Sequence, residues 1–516
     1  MADGLLNKAS IILTPTGYKA GTLYNVAPVV EPYEDFDFAR ASVASRVNSS
    51  GLVEMVGRTL SSELVTNGTF DENVNGWGTD SGATLTWQQD QTCLVATTAD
   101  NTFAIIQGNV LTSSLKYKVS LRFKPDNIGR FRVRLGGSST TFSTTSFNVN
   151  QWNYIEFEGV ADNHVLEIGS QGGSITQFYI DNVSVKEVID TNNIPRISYD
   201  SNGENGHILL EPTSTNLITY SEDFTGWNTS GSVTLTPNTS ISPDGTQNAS
   251  TLNIIDSTYF YKSISTGSGT FTLSCYVKVA SGTNDFKMQS FSGTDGANVS
   301  GVYTATTEWQ RFEHTVTVTV DSNFYPVFIS SPLTGGEFEI WGAQVEELPY
   351  ATSYIPTLTG STVTRATETA TGAGSADLIN STEGVLYAEI SGLVNGGVDR
   401  SIVLSDGTTS NYLRITLHAN SNRLAFFSEK GVNYNNYDFS QTSDLKMAFQ
   451  YKEDDWKIYI NGTLKGTDTS ALTFSPNTLS DLSFSLVNTN PFYGKVKALA
   501  VFNEALSDSE LTQLTT

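Results

Sequence analysis

Short runs that alternate apolar and polar residues recur along this chain, and helical spacing is almost absent. Val, Ile, Thr, Phe and Tyr fill the runs, and Gly, Asn, Asp and Ser separate them. A period of two turns one face of each run toward a core and the other toward water, the pattern of antiparallel sandwiches. With 516 residues the chain is too long for one core, so several sandwiches in series are expected.

One module is written twice. The run from Phe178 to Val188 matches the run from Phe338 to Leu348, 160 residues later. Gly76-Trp77 matches Gly226-Trp227, Tyr117–Phe123 matches Phe271–Val277, and Gln151–Phe157 matches Glu308–His314. Landmarks kept in one order indicate two copies, with Trp77, Trp152, Trp227 and Trp309 expected in their cores. Phe178, Ile180, Val183 and Val185 cannot share one strict alternation, and a bulge near Asp181-Asn182 would restore the phase.

Asn67–Phe70 with Gly76-Trp77, and Tyr179–Val185, resemble the first and last strands of carbohydrate-binding jelly rolls of the galactose-binding-like and family 4/9 kind. The resemblance implies jelly rolls over 61–188 and 219–357 and weak glycan binding. It also implies a structural calcium held by Asp181; the second copy has Trp341 there, so the calcium does not carry over to it.

Residues 381–516 resemble a laminin-G/concanavalin-like sandwich. Gly384–Ile390 would open it and Gly494–Phe502 would close it. Trp456–Leu464 reads as a hairpin turning on Asn461-Gly462 in type I′ geometry. Ser507 and Glu510 form a capping box for a short final helix.

Phe36–Thr59, with Arg40 and Arg46, and Ile194–Asp200 followed by Leu209–Ile218 resemble one continuous stretch of the head-fibre and tail-fibre proteins of tailed bacteriophages. In that family the two pieces adjoin, so 61–188 reads as an insertion. The resemblance implies that residues 1–60, continued by 189–218, anchor the chain to a virion. It further implies phage capsid or tail proteins as partners, a homotrimer, a place on the particle surface, and host-surface glycans as ligands. Residues 358–380, rich in Thr, Ser, Gly and Ala, read as a linker with one strand, Val363–Ala366. The expected fold class is all-β: two jelly rolls and one laminin-G/concanavalin-like sandwich in tandem, after a small β-rich anchoring region.

Composition and motifs narrow the chemistry. A formal net charge of −24 argues against a nucleic-acid groove, which needs clustered cations. Arg130, Arg132 and Arg134 alternate and read as a solvated strand face. No apolar run approaches the ~18–20 residues of a membrane span, and no secretory leader is expected at Met1–Lys8. Cys93 and Cys275 read as buried free thiols. His164, His207, His314 and His418 lack metal-ligand spacing; His164 and His314 are expected at strand surfaces or edges, and His207 in a turn.

Hydrolysis of glycosides needs two carboxylates across the bond. The Glu-x-Asp-x-x-Glu strand motif of concanavalin-like glycosidases is missing, Glu453-Asp454-Asp455 reads as a polar turn, and Glu337 and Glu339 lack a matching Asp. No enzymatic activity is expected, with a capsid-decorating protein and a polysaccharide depolymerase as the alternatives. Sugar binding asks for aromatic platforms beside polar groups. The candidates are Trp87, Tyr259, Tyr261, Tyr434 and Tyr437, the last two in an Asn-rich stretch that reads as an exposed loop.

Overall fold

The computed structural model describes residues 3–27, 34–79, 82–89, 92–96, 104–136, 141–144, 147–171, 175–255, 258–328, 335–358, 360–487 and 489–516. The all-β expectation holds: the described residues form antiparallel sheets with one four-residue helix near the N-terminus and the final helix Asp508–Thr515.

The sequence repeat is a repeat of topology. In the first jelly roll one sheet runs Asn153–Val160, Lys116–Pro125, Gln177–Asp190, Thr92–Ala96, Thr84–Gln88. The second copy has the same order: Gln310–Val318, Gly269–Lys278, Gly335–Glu346, Ala249–Ile255, Val233–Ser240. The facing sheets correspond likewise, Thr141–Thr144, Arg130–Leu135, Leu166–Gln171, Ile105–Gln107, Gly78–Thr79 against Gly296–Val299, Asn284–Ser292, Ser322–Phe328, Tyr259–Ile264, Asn228–Ser230. Alternation does the packing: Tyr117, Val119, Leu121 and Phe123 are buried from one sheet and Phe131, Val133 and Leu135 from the other. Phe123 stacks on Phe131 at 3.9 Å between centroids. The bulge lies where expected: Ser120 pairs with Ser184, but Arg122 pairs with Asp181, and Asn182 takes φ 52°. The second copy repeats it at Gly342.

Trp77 and Trp227 lie in the two cores. Trp152 and Trp309 do not, correcting their assignment. Trp152 lies beneath the Arg122 guanidinium (5.0 Å), and Trp309 donates from Nε1 to Ile241 O (3.0 Å) with Lys278 5.1 Å from its ring. Each is an amphipathic ring at a strand start, where one side stays outside the sandwich.

Both cysteines are buried and unbridged, and burial pushes their thiols up to about 12. His207 opens strand His207–Leu210 rather than a turn; burial pushes its imidazole down to about 4.

The C-terminal sandwich takes strands from the far end of the chain. Ala9–Leu13 and His207–Leu210 both pair with the closing strand Gly494–Phe502, and Arg196–Ser198 extends that sheet. Ile11, Leu13, Phe36, Phe38, Ile197, Ile208 and Leu210 share one core with Leu386, Phe449, Trp456 and Leu499. This corrects the separate anchoring region expected over 1–60 and 189–218: its strands are too short to bury their apolar faces alone and use the terminal sandwich to do so. Lys8 adds ion pairs to Glu504 and to the capping-box residue Glu510. Asn461 and Gly462 both take positive φ, as the type I′ turn demands.

Residues 358–380 are no linker either. Val363–Arg365 pairs with Ser214–Asn216, and Thr369–Thr371 pairs with Phe36–Ala39. Between these strands lies a buried ionic cluster of Arg40, Arg196, Arg365, Glu211 and Glu368. Glu368 accepts from Arg40 Nη1 (2.6 Å), Arg196 Nε (2.8 Å) and the Glu211 N–H (2.9 Å). Glu211 accepts from Arg196 Nη2 (2.8 Å) and pairs with Arg365.

The split sequence block is whole in space. Tyr199 N donates to Val47 O (3.0 Å), and Arg196 Nη1 donates to Ser45 O (2.8 Å). Gly51 and Gly203, both at positive φ, pack so closely that a Cβ on either would strike the other segment's backbone. The first jelly roll leaves this block through one antiparallel pair, Arg58–Leu60 with Val188–Asp190, clamped by Arg58 on Asp190 (2.8 Å). Removing Ser61–Glu187 and closing the pair with a two-residue glycine turn is therefore expected to leave the rest folded, its melting temperature within about 5 °C of the parent by calorimetry.

Candidate functional site

Strand Ser322–Phe328 of the second jelly roll carries a proline at Pro326, and its alternation breaks there. Phe324 and Val327 both enter the core, three residues apart. The pairing shifts on both sides, from Phe260↔Val327 to Lys262↔Phe324 and from Lys287↔Phe328 to Gln289↔Tyr325. Proline gives no ladder donor and is accommodated at bulges. The consequence is that Tyr325 and Phe328 both leave by the face opposite the core, beside Tyr259 and Tyr261, which flank the core residue Phe260.

These four rings form a continuous aromatic shelf. Tyr261 stacks on Tyr325 (4.8 Å) and Tyr259 on Phe328 (5.4 Å), while Tyr259 meets Tyr325 edge-on at 5.6 Å. Tyr325 and Phe328 are buried; Tyr259 and Tyr261 are half-exposed and offer ring surface. On one side the shelf continues to Lys287, Gln289 and the partly exposed Phe291, and on the other to Asn228 and Ser230, paired with Tyr261 and Tyr259. Burial, then the neighbouring Tyr261 and Tyr259, raise the Tyr325 hydroxyl above its ordinary value, so it stays protonated and able to donate. Ring faces bordered by an amide, an ammonium and hydroxyls can hold the C–H face of a sugar while pairing its hydroxyls.

Of the five ring candidates, the structure therefore brings Tyr259 and Tyr261 into one site and adds Tyr325 and Phe328, which sequence reading missed. Pro326 was the available signal, since it forbids an uninterrupted strand.

Trp87 stands on edge strand Thr84–Gln88, packs against the core and donates from Nε1 to Phe70 O (2.8 Å). Tyr434 and Tyr437 lie on strand Asn433–Asp438, not on an exposed loop. Their rings stack at 6.4 Å, pack against the core and lie over Gly466, and the Tyr434 hydroxyl donates to Thr467 O. They close the open edge between the two sheets of the C-terminal sandwich. The Asn-rich run looked like a loop because polar residues such as Asn433 and Asp438 are exposed positions of an edge strand.

Asp181 sits at the bulge and accepts from Asn182 N (2.7 Å) and Nδ2 (3.0 Å). Among the described residues no group of three or more His, Cys, Asp or Glu side chains is placed to hold a metal ion. Of the carboxylates weighed for hydrolysis, Glu339 pairs with Lys278 (2.9 Å) and Asp455 with Lys457 (3.1 Å), and Glu453–Asp455 form the turn into strand Trp456–Ile460, with Asp454 at φ 59°. No helix of the described residues is long and apolar enough to cross a membrane.

No protein-family profile matches the chain, and no curated protein does. Among solved structures it is similar to the CBM40 module of Ruminococcus gnavus IT-sialidase bound to alpha2,3 sialyllactose, at 15% identity and TM-score 0.24, covering 28% of this chain and 94% of that one. It is similar to domain 4 of AbnA, an extracellular GH43 arabinanase of Geobacillus stearothermophilus in complex with arabinotriose (15% identity, TM-score 0.25, 29% and 73% covered). A third is the CBM22-1-CBM22-2 tandem domain of Paenibacillus barcinonensis Xyn10C (12% identity, TM-score 0.21, 56% and 98% covered). At these scores nothing about function follows, and the chemistry has to be read from the side chains.

Proposed function

We propose that this chain is a non-catalytic glycan-binding display protein, carried as a head- or tail-fibre-type appendage on a tailed-bacteriophage particle. The aromatic shelf of Tyr259, Tyr261, Tyr325 and Phe328 carries the binding half of this reading. The virion half is supported by the fibre-type sequence block, whose two pieces pack together across the inserted module. In this reading that block and the strands around it meet capsid or tail proteins, the chain assembles as a homotrimer, and weak sites gain by being presented several at a time.

A glycan array probed with the full chain, beside a Tyr261→Ala variant, tests the binding half. Tyr261 is half-exposed, so its loss should leave the melting temperature close to the parent's. Loss of one stacked ring should weaken any bound neutral glycan about tenfold or more. Binding that survives unchanged in Tyr261→Ala refutes the shelf as the site. Electron microscopy of phage particles carrying a C-terminal label tests the other half: label on projecting fibres supports it, and particles that never carry the chain overturn it.

A further inference from the structure

The face that is aromatic in the second jelly roll is cationic in the first. Strand Arg130–Leu135 corresponds in sheet order to Asn284–Ser292. Its Phe131, Val133 and Leu135 point into the core, so Arg130, Arg132 and Arg134 stand together on the opposite face. Alternate residues of a strand lie about 6.8 Å apart, so the three guanidiniums form a row about 14 Å long. Where the second copy has Tyr325 and Phe328 beside this strand, the first has Gly169 opposite Arg132 and Glu167 opposite Arg134. Where it has Tyr259 and Tyr261, the first has the single Ile106. Among the described residues the first module thus shows no ring shelf on this face and presents charge instead.

That charge is concentrated against the trend of a chain whose formal net charge is −24. Arg134 pairs with Glu167 at 3.4 Å, an ion pair near the surface that a ligand carboxylate can exchange with. Of the two strands paired with the row, Thr141–Thr144 contains no Asp or Glu and Leu166–Gln171 contains Glu167 alone. Partial burial, then Arg134 and Arg130, lower the proton affinity of Arg132, with Glu167 opposing them.

We propose that this face of the first jelly roll is a second binding site, for a carboxylated polysaccharide, whose acid groups pair with Arg130 and Arg132 in the planar two-point geometry that guanidinium favours. The site lies on a different module from the aromatic shelf and does not rest on it.

Affinity electrophoresis of the full chain in gels containing polygalacturonate, methyl-esterified pectin or heparin tests the proposal. Retardation by polygalacturonate, little by the esterified polymer, and release at 0.5 M salt (roughly a 4 Å screening length) are expected. An Arg130→Gln, Arg132→Gln double variant should lose about tenfold or more in affinity, while Tyr261→Ala should lose none. Arg130 is exposed, so the single Arg130→Gln variant serves as the folded control if the double variant melts early, and it should lose part of the retardation. No retardation by polygalacturonate, retardation untouched by the arginine changes, or equal retardation by heparin as a generic polyanion each overturn it. Failure here with a working Tyr261 site, or the reverse, separates the two sites.

Discussion

Replacing Glu368 with alanine should lower the unfolding free energy by roughly 3–5 kcal/mol, the cost of stripping one partner from a buried ion cluster. The cluster holds three guanidiniums and two carboxylates, all almost fully buried. Without Glu368, Arg40 loses its carboxylate partner, and Arg196 keeps Glu211 as its carboxylate beside the neutral acceptors Ser45 O and Ser353 Oγ. Arg40 already sits below its ordinary value through burial, with Glu368 the main opposing influence. The lesion falls where segments from four parts of the chain meet, so the C-terminal sandwich should lose its borrowed strands first. Urea unfolding reads this best from the Trp456 environment, because a multidomain chain does not melt in one step. Glu368→Gln should cost less, keeping one acceptor. An unchanged transition in Glu368→Ala would mean that solvent reaches the cluster freely.

Acid should reach the same joint. Burial alone would raise the Glu211 carboxyl, but the Arg365 and Arg196 guanidiniums outweigh it and hold it at about 2. A carboxylate depressed in the folded state stabilises above its ordinary range near 4.5, and that stabilisation is lost as pH falls toward 2.

Where a residue's period alone decides its place, the sequence was readable. The duplicated module, the bulge at Asn182, the Asn461-Gly462 turn and the Ser507 capping box are local features, and each appears at the expected residues. Long-range sharing of a core was not readable. Nothing local to Ile11 or Ile208 says that Val501 or Val496 will pair with it, because an edge strand's partner is set by which sheet has an open edge. The same gap hid the ionic cluster: Arg365 and Glu368 sit in a Thr- and Gly-rich stretch that looks flexible until their partners from Arg40 and Glu211 arrive. The site fell between these cases. Tyr259 and Tyr261 stood out as rings at alternate positions, whereas Tyr325 and Phe328 needed the phase shift at Pro326 to reach the same face.

A second large effect should appear at the alkaline side, from Glu222. This half-buried carboxyl accepts from the Tyr354 hydroxyl (3.0 Å) and from Asn248 Nδ2 (2.9 Å). Burial, then the neighbouring Asp244, push it up to about 8, with Glu156 of the first jelly roll adding to the rise and Lys118 opposing it. A carboxyl raised in the folded state binds its proton more tightly there than in the unfolded chain. Its stabilisation is complete below about 4.5 and is lost as pH climbs through about 8, on the order of a few kcal/mol across the window. Glu222→Gln keeps an acceptor for Tyr354 and removes the titration. The parent's melting temperature should therefore fall between pH 5 and pH 9, while the variant's stays nearly level and exceeds the parent's at the alkaline end. Parallel curves for the two proteins would show that Glu222 is ionised at neutral pH after all. With Glu211 failing in acid and Glu222 failing in alkali, the two carboxylates bracket a stability maximum near pH 5, and Glu222→Gln should move the alkaline flank of that curve while leaving the acid flank in place.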